Sequence, residues 1–324
     1  MLFDRFRRSS SSRASRFAFY GKLPFDREFL RYHLDSPAGR WVTSWVDGAH
    51  QRIAAQRETG DARTDSELCA ILARDDGRSA LAAVIRPSTD GGGRSYPACA
   101  FCVLPAGELR EAWHLSPLWL QPVWPAIADS ILVPEHVSRK DFDDVLDRTP
   151  LEPAEPPAIA SRFESASNAP IDHPWQALTG ASGDTARSLA STFVQLGRVQ
   201  RESAGRRGSI AIRIPLNDAG DPVPALQASI WLRLFSVVSE FGLPWPAIIE
   251  VRHRQEQARS LCIFGREPTA DDLAYLLSGL GDAAIDDLAD AWEAQPDAEE
   301  DRHRLAVLVD ETPKCFADLW QGLR

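Results

Sequence analysis

Leu68-Cys69-Ala70-Ile71-Leu72-Ala73, then Asp75-Asp76-Gly77, then Leu81-Ala82-Ala83-Val84-Ile85: this stretch decides the fold. Two short apolar runs joined through an Asp-Gly step read as a β-hairpin. A third run, residues 96–104, arrives through Asp90-Gly91-Gly92-Gly93. Three short strands in sequence order predict an antiparallel meander rather than βαβ units.

Upstream, Arg16-Phe17-Ala18-Phe19-Tyr20 alternates like a strand and stops at Gly21-Lys22-Leu23-Pro24. From Ser36, the residues Trp41, Val42, Trp45, Val46, Ala49 and Ile53 recur at helical spacing and predict an amphipathic helix. Downstream, residues 108–132 carry Trp113, Trp119 and Trp124 but are cut by Pro117, Pro122 and Pro125, so broken helical segments are expected. Ser138 to Asp141 starts a short helix by capping logic. Six prolines between Pro150 and Pro174 read as a linker or surface excursion. The second half restarts with a helix at 185–200 and a strand at 209–214. An all-round apolar helix at 226–238 and strands at 247–251 and 261–264 follow. Thr269 caps a helix whose inner face is Leu273, Leu276, Leu277 and Leu280. A second acidic helix with Ile285, Leu288, Ala289 and Trp292 inward, then a last strand at 305–309, complete the expectation. The fold class is mixed α and β, with helices over a largely antiparallel or mixed sheet.

The chain has 324 residues, 44% hydrophobic and 25% charged, enough for a sizeable core without disulfide staples. Its net charge of −10 argues against a general grip on nucleic acid. No apolar window is long enough to span a membrane. Residues 1–16 differ: Arg5, Arg7, Arg8, Arg13 and Arg16 stand against Asp4, with no apolar signal core, which reads as a solvated tail. The cysteines Cys69, Cys99, Cys102, Cys262 and Cys315 are odd in number and scattered, which suits a reducing compartment, the cytoplasm.

Chemistry-bearing motifs are few. Cys99-Ala100-Phe101-Cys102 lacks the second pair that a zinc site needs, and in a strand its two thiols point to opposite faces. The histidines form neither H-x-x-x-H nor H-E-x-x-H, and the acid pairs Asp143-Asp144, Asp271-Asp272 and Asp286-Asp287 suit caps or exposed faces. Gly91-Gly92-Gly93 is followed by no Lys-Ser/Thr, and no G-x-S-x-G occurs. No cofactor or metal is implied.

Two stretches are distinctive. Phe19-Tyr20-Gly21-Lys22-Leu23-Pro24 resembles the G-F-Y/F-G-K-L-P start of the TagF/ImpM family of type VI secretion proteins. Pro87-Ser88-Thr89-Asp90-Gly91-Gly92-Gly93-Arg94-Ser95-Tyr96-Pro97 resembles that family's P-S-x-D-x-x-G-R-x-x-P signature. Trp41 and Trp45 suit its Trp-rich first helix. The chain departs from it at Asp26-Arg27-Glu28-Phe29, where a Gly-Asp-Phe is usual, at residues 66–73, where a P-I-W-R-F segment is usual, and in the added length of 105–225. The resemblance covers 17–105 well and 226–280 more loosely. It implies a three-layer α/β/α fold and a cytoplasmic, non-enzymatic repressor of type VI secretion that binds the forkhead-associated scaffold of the apparatus. The implied organisation is a basic tail (1–16), an N-terminal unit (17–148), a Pro-rich linker or excursion (149–174) and an acidic C-terminal half (175–324). The site residues it marks are Gly21, Lys22, Pro24, Pro87, Ser88, Asp90, Gly93, Arg94 and Pro97.

The residues of the signature carry a physical reading of their own. Pro87 ends a strand, Asp90 and the glycines turn the chain, Gly93 supplies a positive φ, and Arg94 can reach back across the turn with five donors. Arg94 either locks the loop through Asp90 or offers its fork to a partner's carboxylate. Lys22 either packs beside Trp41 or contacts a partner. The alternative to a binding module is an unrecognised enzyme or thiol-dependent protein using Cys99 or Cys102.

Overall fold

A computed structural model describes residues 17–56, 66–73, 79–132, 137–202, 211–216, 223–240, 246–253, 258–279, 285–288, 299–309 and 313–323. The basic tail, the Asp75-Asp76-Gly77 step, Leu280 and Trp292 lie outside the described residues. Strands β1 (Phe17–Gly21) and β2 (Leu30–Tyr32) precede helix α1 (Pro37–Gln56), and β3 (Ser66–Ala73), β4 (Ser79–Arg86) and β5 (Ala98–Pro105) follow. Helices α2 (Ser116–Leu120), α3 (Val123–Ile131), α4 (Arg139–Arg148), α5 (Pro156–Ser167) and α6 (Pro174–Thr179) lead to the long α7 (Gly183–Glu202). Then come β6 (Ala211–Leu216), α8 (Pro224–Val238), β7 (Ala247–His253), β8 (Ala258–Phe264) and α9 (Ala270–Ser278). Strand β9 (Asp286–Asp287) and helices α10 (Glu299–Val309) and α11 (Phe316–Gly322) end the series.

The described strands join one sheet in the order β2-β1-β5-β4-β3-β7-β8-β6-β9. The meander is antiparallel, with Leu68 opposite Ile85 and Ala83 opposite Phe101. Only the β6–β9 pair is parallel among the described ladders. The sheet crosses the expected boundary between 17–148 and 175–324, because β3 pairs with β7 from Ser66 opposite His253 to Ile71 opposite Ile248.

Alternation along each strand divides the core in two. Leu68, Ala70, Leu72, Cys99 and Phe101 pack with α1 and α9 on one face, and Cys69, Ile71, Cys102 and Leu104 pack on the other. That second face carries the larger helical layer, with Trp113, Trp119, Trp124, Phe193, Trp231 and Phe235 in its core. Helices cover both faces, so the arrangement is three-layered. Helix α1 buries Val42, Trp45, Val46, Ala49 and Ile53 as its periodicity predicts. The Trp45 indole N–H donates to the Thr269 carbonyl at 2.8 Å, tying α1 to the start of α9. The capping expectations hold: Ser138 accepts from the Asp141 amide, and Thr269 and Asp272 form a reciprocal capping box.

Three expectations fail, each for a physical reason. The stretch 149–174, expected as a linker or a surface excursion, instead packs a helix into the core: α5 buries Ile159 and Phe163, and Phe163 stacks on Trp320. Its prolines start helices, Pro156 and Pro157 in the first turn of α5 and Pro174 at the start of α6, where a missing N–H costs nothing. Residues 305–309 form the last turns of α10 rather than a strand, with Glu299, Glu300 and Asp301 at the favourable N-terminal end of its dipole. Buried Asp301 holds that helix to α7 through Arg198 at 3.4 Å and Arg201 at 3.1 Å. Asp286-Asp287 joins the edge of β6 instead of a helix, and the Leu288 amide donates to the Arg213 carbonyl at 2.9 Å. No helix among the described residues is long and apolar enough to cross a membrane.

Candidate interaction site

The two distinctive stretches, distant in sequence, fold onto each other. β1 ends at Gly21 with φ +136°, and a Cβ there would lie 2.2 Å from the Pro97 carbonyl oxygen. Only glycine fits, so the first motif abuts the last residue of the second. The Pro24 carbonyl approaches Gly91 in the same way, and the Gly91 amide donates to the Asp26 carbonyl at 2.9 Å. Pro87 leaves β4 half-buried, and the Ser88 carbonyl accepts from the Tyr96 amide at 2.9 Å. Gly93 has φ +80°, the left-handed turn conformation expected of it.

Asp90 is the hub. Its Oδ1 accepts from the amides of Gly92 and Arg94, both at 2.9 Å. Its Oδ2 accepts from Arg94 Nε at 2.6 Å and Lys22 Nζ at 2.9 Å. Burial alone would raise the carboxyl's pKa. The Arg94 amide, Lys22, the Arg94 side chain and the Gly92 amide outweigh it and hold the group well below the usual carboxylate range. Lys22 pairs its charge with Asp90. Trp41 rests against Trp45, and its indole N–H donates to Glu267.

A second carboxylate ties the motifs again. Asp47, on α1, accepts at Oδ1 from the Tyr20 hydroxyl at 2.5 Å and from the Tyr96 hydroxyl. Tyr20 belongs to the first motif and Tyr96 to the second, and Phe29 packs between the two rings. Sequence reasoning missed this trio. Alternation marks Tyr20 and Tyr96 only as apolar-face residues, and nothing local ties Asp47 to them. Burial, reinforced by Asp47, pushes the Tyr20 phenol up to about 12 from 10.0, and Tyr96 shifts in the same direction. A phenol whose folded pKa is raised contributes stability that is complete below the unfolded value and lost as pH climbs through the folded one. The protein should therefore lose stability between pH 10 and about 12. Urea midpoints across that window check this. The fall should be shallower for Tyr20→Phe, and an equal slope in the two proteins contradicts the assignment.

The remaining surface of the site is the turn. Gly91, Gly92, Gly93, Arg94 and Ser95 are exposed, although the amides of Gly91, Gly92, Gly93 and Arg94 are all hydrogen-bonded within the fold. The site is thus a rigid loop: braced from beneath by two carboxylates, open above.

Cys99 and Cys102 do not converge on anything. They are buried on opposite faces of β5, and burial raises both thiols, Cys102 to about 12. Cys69 and Cys262 are buried too, and Cys315 is half-exposed at the start of α11. A thiol reagent should label about one cysteine per native chain, because only an accessible thiolate reacts. All 5 should react in denaturant. Rapid native labelling at Cys99 or Cys102, read by mass spectrometry, would revive the thiol chemistry. Among the described residues no group of three or more His, Cys, Asp or Glu is placed to hold a metal. A cavity of about 20 Å³ between His173, Trp175, Leu308 and Pro313 has room for about one water and lies apart from both motifs.

Residues 18–148 match the family model of the TagF N-terminal domain, described as type VI secretion system-associated. Nothing among curated proteins matches the chain. Among solved structures, the crystal structure of PA0076 from Pseudomonas aeruginosa is similar, with 17% identity and a TM-score of 0.44 over 82% of this chain and 96% of that one.

Proposed function

Because residues 18–148 are a TagF N-terminal domain, a domain associated with type VI secretion, we propose that the chain is a cytoplasmic accessory protein that represses secretion by binding a component of the apparatus. The forkhead-associated scaffold is the component that the family resemblance names. The domain match carries this reading. The loop geometry supports it: a turn held rigid from beneath and left open above keeps little conformational entropy to lose when a partner docks. The same geometry favours a binding protein over an enzyme. The buried carboxylate of Asp90 and the half-buried carboxylate of Asp47 are engaged by internal partners, and the thiols of β5 are enclosed.

Effector release from a bacterium that carries the apparatus tests the reading. Overproduction of the chain should lower the released effector while its cellular amount stays constant, and deletion should raise release. Co-purification with the forkhead-associated scaffold should accompany repression. Release that follows neither manipulation would overturn the function. Repression without scaffold co-purification would overturn only that partner.

A further inference from the structure

We propose that Arg94 and Arg27 form a prepositioned clamp for an acidic segment of a partner protein, a segment that presents Asp or Glu carboxylates to the exposed 91–95 turn. The inference rests on the reading of the chain as a binding protein and names the chemistry that its site would take.

The guanidinium of Arg94 is split between fold and solvent. Its Nε donates to Asp90 at 2.6 Å and its Nη2 to the Arg27 carbonyl at 2.5 Å. These two bonds use the side edge of the planar group. The end edge, formed by Nη1 and the second Nη2 hydrogen, keeps the paired-donor geometry that matches a carboxylate. The side chain is 65% exposed although its position is fixed. An arginine on a mobile stem loses rotamer entropy when it binds; this one is already ordered by the fold.

Arg27 supplies the second donor set. Its carbonyl is the group that holds Arg94, so the two residues are neighbours, and its stem lies beside Gly91. Its own guanidinium is exposed and makes no hydrogen bond or ion pair among the described residues. The surrounding acids are partly neutralised: Asp26 accepts from the Glu28 amide and pairs with Arg139 at 3.6 Å, and Asp90 is buried among its own cations. Glu28 remains as an exposed acid next to the clamp. A small positive spot edged by negative charge on a chain of net charge −10 suits a short carboxylate segment and disfavours a polyphosphate backbone. The bare glycines Gly91, Gly92 and Gly93 let a partner backbone approach between the two arginines.

The test uses the full chain and two labelled peptides, hexaglutamate and hexaglutamine, with binding read by fluorescence anisotropy at low salt. Hexaglutamate should bind and hexaglutamine should not, and added salt should weaken the complex. Arg27→Glu should weaken hexaglutamate binding by about tenfold or more, the loss expected of a charge-assisted hydrogen bond turned repulsive. The melting temperature should stay nearly unchanged, because the Arg27 guanidinium makes no hydrogen bond or ion pair among the described residues and a glutamate keeps the part of the stem beside Gly91. Arg94→Lys should also weaken the peptide, since it keeps the charge and loses the fork. Equal binding of both peptides, or an Arg27→Glu protein that binds hexaglutamate as wild type does, overturns the clamp. Binding of a labelled single-stranded oligonucleotide more tightly than hexaglutamate also overturns it, in favour of a nucleic-acid surface. The effector-release assay separates the two levels: a repressor that still works as Arg27→Glu leaves the proposed function standing and removes only this surface.

Discussion

Trp231→Ala should lower the free energy of unfolding by about 3–5 kcal/mol, the range for deleting a buried tryptophan. Trp231 lies at the middle of α8 and is fully buried. Its ring meets Trp175 at 5.4 Å and Phe193 at 5.3 Å, both edge-on, so three helices converge on it. Removing it leaves a cavity between α6, α7 and α8 that those rings cannot collapse to fill. Its indole N–H has no hydrogen-bond partner among the described residues. Trp231→Phe therefore deletes an unsatisfied donor along with some volume, and should cost less than about 1.5 kcal/mol. Urea unfolding of both variants checks the pair. Similar losses for Phe and Ala would mean that the indole N–H has a partner after all.

Asp47→Ala should be strongly destabilising at the candidate site. It strands the Tyr20 and Tyr96 hydroxyls, each buried and each deprived of its acceptor at about 1–3 kcal/mol. Asp47→Asn keeps one acceptor oxygen and should recover part of the loss. Tyr20→Phe with Tyr96→Phe removes both donors with the acceptor left half-exposed, and should cost less than Asp47→Ala alone. Thermal melts of the three proteins give the ranking. An Asp47→Ala protein as stable as the double phenylalanine variant would show that the phenols find water instead.

Much of this was legible in the sequence, because the signals were local. The hairpin, the meander and α1 follow from period-2 and period-3.6 patterns that tertiary structure had only to accept. The opposite placement of Cys99 and Cys102 follows from strand alternation alone. Gly93 and the Arg94–Asp90 pair were readable because a turn four residues long fixes its own geometry. The Asp47 trio was not readable: it joins α1 to two strands, and a lone Asp on a helix looks like any solvated acid. Residues 305–309 were misread because a five-residue apolar run fits a strand or a buried helix turn equally well. Distant Arg198 and Arg201 decide the matter. Pro156, Pro157 and Pro174 pointed to a linker or surface excursion because prolines mark breaks by composition, whereas at the first positions of α5 and α6 they start helices.

The pairing of β3 with β7 has a consequence for how the chain comes to exist. Residues 18–148 form a family domain by their sequence, yet one of their strands finds its neighbour only when Ala247–His253 has been made. Until then the far side of β3, from Ser66 to Ile71, is a row of bare amides and carbonyls flanked by apolar side chains, a template for any passing strand. A nascent chain must carry this open border through the synthesis of five helices after α3, and such distant pairings are the slow ones in folding. Truncation after the domain would make the open border permanent. The later residues of β7 thus close an edge that residues 18–148 would otherwise leave open to aggregation.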